Sequence, residues 1–286
     1  MNTMNINFFK MHGSGNDFVM FDCLKEPVMP EDLNYLSLKV CDRRYGVGAD
    51  TMVMICKSDV ADVRIRYFNT DGTEAELCGM ATRCVTHYLI THRIFGDQTE
   101  FVYETLAGPL YAKGIFENGE LVGTLIDMGI PRYMPLTSID GEKLGIEGGR
   151  LTAGDREFDY IPVSMGNPHC VIYCKDVDNL DVQKYGAIIE KHPNFPEGTN
   201  VEFVQVLDDH NVKCRIWERG GMETTACGSG SCAICVAGFL TGRTQRQNSV
   251  HYPGGIIKDF WDPEDNHIYM TTEIAEEVFT GTFFLK

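Results

Sequence analysis

At 286 residues the chain is long enough for two domains of ordinary size, each able to bury its own core. With 25 Lys and Arg against 41 Asp and Glu it carries a formal charge of −16, which repels phosphate backbones and anionic membrane surfaces and argues against nucleic acid or membrane as partner. Eleven cysteines, an odd number spread through strand-like and helix-like segments, fit free thiols in a reducing cytoplasm better than a disulfide framework, and with no basic-then-apolar pattern over Met1 to Lys10 and no membrane-length apolar run the protein is expected to be soluble and unexported.

In chain order, Phe18 to Phe21, Thr51 to Ile55, Val63 to Phe68 and Phe101 to Tyr103 read as strands bounded by Gly, Asp or Asn, and Cys84 to Ile90 reads as a helix. Gly129 to Tyr160 shifts to Gly, Pro and charge, with four glycines between Gly141 and Gly149, and reads as a loop-rich entry to a second domain rather than core. Cys170 to Tyr173, Val201 to Val206, Val212 to Trp217 and Ile268 to Thr271 repeat the strand order, and Ser231 to Leu240 reads as a second apolar helix. Glu276 to Leu285 alternates well enough to be a closing strand.

Asp62 to Gly79 aligns without a gap on Asn211 to Gly228, at an offset of 149 residues. Six of the eighteen positions are identical: Val63/Val212, Arg66/Arg215, Gly72/Gly221, Glu74/Glu223, Cys78/Cys227 and Gly79/Gly228. Gly15-Asn16 and Gly166-Asn167 precede the two Cys-Gly steps at nearly equal distance, so the repeat is long and a duplicated unit is the simplest reading. The crossover falls near residues 122–124, which gives domains 1–123 and 124–274.

Each Cys-Gly opens a helix. A cysteine at a helix N-terminus has a lowered pKa, and the unpaired N–H groups of the first turn form a site for a carboxylate. Two such ends facing across a cleft would hold one carboxylate with a sulfur on either face of the adjacent carbon. That suits inversion by a thiolate base and an opposed thiol acid. A single Cys-Gly reads as packing; two at equivalent positions, each preceded four residues earlier by Glu, favour chemistry. Cys227, Cys232 and Cys235 have iron–sulfur spacing, but no fourth cysteine follows and the intervening residues read as buried helix. No metal ligands and no nucleotide-binding loop are expected, so no cofactor is implied. His12 and His169 beside the Gly-Asn turns read as structural.

The joint pattern resembles the diaminopimelate epimerase family: Lys10 to Phe18, Cys41-Asp42-Arg43 with Gly46 to Asp50, Phe68 to Gly72, Met165 to His169, Glu197 to Asn200, Trp217 to Gly220 and Thr225 to Gly230. The resemblance covers nearly the whole chain, in order. It implies an α/β fold (α+β type) of two pseudo-symmetric domains, each a mixed sheet around a central helix, with 275–286 returning to the N-terminal domain. It also implies a cofactor-independent two-base mechanism interconverting LL- and meso-2,6-diaminopimelate, in lysine and peptidoglycan biosynthesis, and is compatible with a homodimer. Carried over residue by residue, Cys78 and Cys227 are catalytic. Gly79, Met80, Gly228 and Ser229 present N–H groups to the reacting carboxylate, and Asn16, Thr51, Asn69, Asn167, Asn200, Glu218 and Arg219 bind substrate. The chain departs from the family at Met80-Ala81, usually Asn-Gly, and at Thr51. A racemase for another amino acid such as histidine or lanthionine, or a non-catalytic amino-acid-binding protein, are the alternatives.

Overall fold

The computed structural model describes residues 4–27, 32–133, 135–137 and 143–285; residues 138–142 of the glycine-rich stretch lie outside the described residues. The chain divides into two compact units, one of Met1–Ile126 with Thr272–Lys286 and one of Asp127–Thr271.

In the first unit, β1 (Met4–Gly13) and β2 (Asn16–Asp22) form a hairpin whose turn puts Ser14 and Gly15 at positive φ. Helix α1 (Leu33–Val40) follows, with the Asp32 carboxylate accepting from Tyr35 N at its N-cap. Then come β3 (Thr51–Cys56), parallel to β2, and β4 (Val63–Asn69), antiparallel to β3. After β5 (Glu74–Ala75) folds back on β4, α2 (Gly79–Thr91) leads to β6 (Glu100–Thr105), parallel to β4, and to the antiparallel β7 (Gly108–Glu117) and β8 (Glu120–Asp127).

The second unit repeats this plan. After the small pair β9 (Pro135–Thr137) and β10 (Lys143–Ile146) come β11 (Gly149–Ala153), β12 (Arg156–Ser164) and β13 (Pro168–Tyr173), joined antiparallel in turn. Helix α3 (Val182–Glu190), capped by Asp181, leads to β14 (Asn200–Val206), β15 (Asn211–Glu218) and β16 (Met222–Thr224). Helix α4 (Gly228–Leu240) then precedes β17 (Gln247–Tyr252), β18 (Gly255–Trp261) and β19 (Ile268–Glu273), and β20 (Glu276–Leu285) closes against β1 of the first unit.

Register makes the repeat concrete. The parallel pair β2/β3 sets Phe18 beside Thr51, and β13/β14 sets His169 beside Asn200. The parallel pairs β4/β6 and β15/β17 match Val63 with Tyr103 and Val212 with Val250. Each central helix has 13 residues and packs against its own unit's strands: α2 on β1, β3 and β7, α4 on β12, β13, β14, β17 and β18. Because water is excluded around them, their hydroxyls must find partners inside. Thr82 and Thr86 bond back to the carbonyls four residues earlier and pair with Tyr67 OH and Tyr103 OH at 2.7 and 2.8 Å. In α4, Ile234 to Ala237 are fully buried, so truncating Ile234 to Ala would cost about 2–5 kcal/mol.

The loop-rich reading of Gly129 to Tyr160 is corrected over its second half. Residues 149–160 belong to the β11–β12 hairpin, and Leu151, Ala153 and Phe158 enter the core of the second unit with Ile172, Val201 and Phe203. The turn glycine Gly154 has φ +63, as that tight connection requires.

Candidate active site

Cys78 is the N-cap of α2 with φ −139 and ψ 101; Cys227 is the N-cap of α4 with φ −141 and ψ 120. The extended cap aims the first-turn N–H groups, including those of Gly79, Met80, Gly228 and Ser229, away from the helix, where an anion can take them. An Arg–Glu clamp stands behind each end. Arg66 meets Glu74 through two bonds of 2.7 Å, and Arg215 meets Glu223 at 2.7 and 3.0 Å. The turns that follow are tied alike, Ala107 N donating to Glu76 O and Gly254 N to Thr225 O.

In the first unit, Asn16 donates to Asp50 at 2.8 Å, inside a cluster where Arg43 bridges Asp50 and Asp17 and Lys10 binds Asp17 at 2.6 Å. Burial works against the Asp17 charge, yet hydrogen bonds from Arg43 and Lys10 hold its carboxyl well below the usual range. Thr51 is buried and lies directly across from Asn69, whose amide donates to Thr73 Oγ1 at 2.9 Å. Met80 is also buried, so its side chain fills core volume while its backbone stays in the first turn. One turn on, Arg83 is wholly buried, reaches Ser14 Oγ at 3.3 Å, and packs so tightly on Gly13 that a Cβ there would sit 1.4 Å from the guanidinium. A fixed cation in that place favours an anion at this helix end.

In the second unit, Cys227 Sγ accepts from Gly230 N at 3.4 Å and lies 3.6 Å from Ser229 Oγ. Asn167 Nδ2 donates to Ser229 Oγ at 3.2 Å, and Asn167 Oδ1 faces His169 Nε2 at 3.1 Å. His169 Nδ1 meets Glu202 Oε1 at 2.6 Å, with neither side chain exposed. Asn200 accepts from Arg219 N at 2.9 Å and donates to Pro168 O at 3.0 Å, which fixes the strand end from which the exposed Arg219 projects. Glu218 accepts from Thr224 at 2.6 Å. Burial pushes the Cys227 thiol well up, the charges of Glu218 and Glu202 push it further, and Ser229 and Gly230 act against them.

Of the expected site residues, the second unit brings Asn167, Ser229 and Cys227 into one hydrogen-bonded line and Asn200 onto Arg219. In the first, Thr51 and Asn69 are neighbours, while Asn16 is held through Asp50. Sequence reasoning left His169 as structural and passed over Glu202; the signal for Glu202 was a lone charge inside the apolar run Val201 to Val204. Buried Asp259, pushed by burial to about 7 while Ser231 and Cys232 donate to it, was also missed.

A family profile described as diaminopimelate epimerase matches residues 8–134 and 161–276. The chain is 46% identical over 282 residues to the diaminopimelate epimerase of Pelotomaculum thermopropionicum, covering 97% of this chain and 99% of that one. This chain belongs to the diaminopimelate epimerase family. The relative from Moorella thermoacetica, under the same name, is 42% identical over 285 residues, with 97% and 99% covered. Among solved structures, a hydroxyproline epimerase from Agrobacterium vitis superposes with TM-score 0.69 at 14% identity over 98% and 93% of the two chains. A PhzF-family phenazine biosynthesis protein from Bacillus anthracis gives 0.70 at 19% over 98% and 99%. These distant structures share the fold of this family member. No described helix is long and apolar enough to cross a membrane, and among the described residues no group of three or more His, Cys, Asp or Glu is arranged to hold a metal.

Proposed function

We propose that this protein is an isomerase that interconverts LL- and meso-2,6-diaminopimelate by proton transfer at one α-carbon, with Cys78 and Cys227 as the two acid/base groups. The observation that carries the reading is the duplicated device: a cysteine N-cap of near-identical backbone geometry, followed by Gly, on a buried 13-residue helix in each repeat. One thiolate takes the α-proton and becomes a thiol. The electron pair moves toward the carboxylate, and the opposite thiol returns a proton to the other face and becomes the thiolate. The first-turn N–H groups of Gly79, Met80, Gly228 and Ser229 receive that carboxylate, where charge builds up in the transition state, so the step draws its stabilisation from fixed amides.

Each cysteine is the base in one direction of the reaction and the acid in the other. Arg219, whose planar fork suits a carboxylate, and Glu218, which suits an ammonium group, bind the substrate's far end, with Asn16, Thr51, Asn69, Asn167 and Asn200 completing its hydrogen bonds. A neutral apolar amino acid would leave both charges unpaired. On this reading, which rests on the family, the enzyme serves lysine and peptidoglycan biosynthesis in the cytoplasm.

Turnover in deuterated water tests this. Label should enter the α-carbon of diaminopimelate in the unmodified enzyme and fail to do so in Cys78→Ala and Cys227→Ala. Label in unrelated amino acids but not in diaminopimelate would sink the substrate assignment, and full activity in either variant would sink the two-base mechanism.

A further inference from the structure

His169 and Glu202 are fully buried, and the second carboxylate oxygen of Glu202 has no hydrogen-bond partner. A carboxylate in such a place is costly, and the hydrogen that lies between Glu202 Oε1 and His169 Nδ1 across 2.6 Å offsets that cost. The other ring nitrogen faces the oxygen of Asn167, whose amide nitrogen is already given to Ser229. Nε2 must therefore carry hydrogen, because an acceptor facing an acceptor would be repelled. Ser229 Oγ accepts from Asn167, which leaves its own proton to point at Cys227 Sγ, 3.6 Å away. Glu202 comes this close to the first turn of α4 because residue 230 is glycine: a Cβ there would stand 3.0 Å from Oε1. The first repeat has none of this. Phe18, Val53 and Met80 occupy the positions of His169, Glu202 and Ser229.

We propose that Glu202 is a positioning residue: by keeping the proton on His169 Nε2 it fixes the direction of the line His169 to Asn167 to Ser229, so that the line ends as a hydrogen-bond donor on the sulfur of Cys227. The inference rests on the reading of Cys227 as an acid/base group. With Gln at 202, the hydrogen between the two side chains stays on Nδ1 and is donated to the Gln oxygen, and Nε2 offers a lone pair. The Asn167 amide then turns over, its oxygen takes the Ser229 proton, and the sulfur loses its donor.

The rate of iodoacetamide alkylation at Cys227, read near neutral pH from the peptide that contains it, tests the line without any turnover. In the native background Ser229→Ala should slow alkylation roughly tenfold, since a hydrogen bond to the thiolate is lost. In Glu202→Gln the same Ser229→Ala change should cost nothing, whatever the absolute rate, because comparison within each background cancels the effect of removing the Glu202 charge. Should Glu202→Gln fold poorly, the pair His169→Phe with Glu202→Val borrows the apolar solution of the first repeat and should equally abolish the Ser229 effect. An equal slowing in both backgrounds, or none in the native one, overturns the proposal. Failure of diaminopimelate turnover with the coupling intact would instead overturn the assigned reaction and leave the line standing.

Discussion

The two repeats agree in backbone and disagree around the sulfur. The N-cap cysteine, the following glycine and the Arg–Glu clamp recur at an offset of 149 residues, and the strand pairing around them recurs too. The polar groups within a turn or two of each cysteine do not. Behind Cys78 sit buried Met80 and the buried cation Arg83; behind Cys227 sit Ser229, the His169–Glu202 pair and buried Asp259. Asn16 is held by a charged cluster with Arg43 at its exposed end, its counterpart Asn167 by a pair wholly cut off from water. Duplication supplied two copies of one helix end, and later divergence gave them opposite electrostatic surroundings.

The strongest attempt to break this comparison is removal of each sulfur. Cys78→Ala and Cys227→Ala should each lower epimerisation by about a thousandfold or more, as measured by deuterium entry at the α-carbon. A variant that keeps substantial turnover would mean that one half is dispensable. The next effect concerns Asp259. Its folded-state pKa of about 7 lies above the unfolded value, so its contribution to stability is complete at low pH and is lost as pH rises from about 4 through about 7. That loss is on the order of 4 kcal/mol. Asp259→Asn should flatten this part of the stability profile and be more stable than the native protein at pH 8 in urea titrations; a parallel profile would refute the assignment.

Gly13→Ala sharpens the contrast between the two buried environments. The added methyl collides with the Arg83 guanidinium, so a loss of about 1–3 kcal/mol is expected by thermal denaturation. In the second repeat Ser164 and Cys232 stand at these two positions, and shortening Arg83 to Cys should relieve most of the Gly13→Ala penalty. The smallest effect is the shared clamp. Arg66→Gln removes a bidentate but part-exposed pair and should cost about 1 kcal/mol, and Arg215→Gln should cost more, because Arg215 also donates to Leu180 O at 2.9 Å.

The chain order of strands, the two central helices and the cysteine pair are legible in sequence because each leaves a local mark: alternating residues, Gly-Asn turns, Cys-Gly steps. The β11–β12 hairpin is not, since Gly148, Gly149 and Gly154 with their charged neighbours dilute the alternation of Leu151, Ala153 and Phe158. Glu202 is hidden for another reason. A charge in a strand normally marks a solvent-facing position, and only the parallel register of β13 with β14 shows that it turns inward to His169. Met80 is visible as a departure, but its burial belongs to the packing of α2.

The β1–β20 pairing sets the order in which the molecule can be finished. In the second repeat the strand beside β12 is its immediate predecessor, β11; in the first, the strand beside β1 is β20, which leaves the ribosome only after the whole second repeat has been made. During synthesis, therefore, the later repeat can close first, while the earlier one waits with a strand edge and the neighbours of Phe283 and Leu285 uncovered.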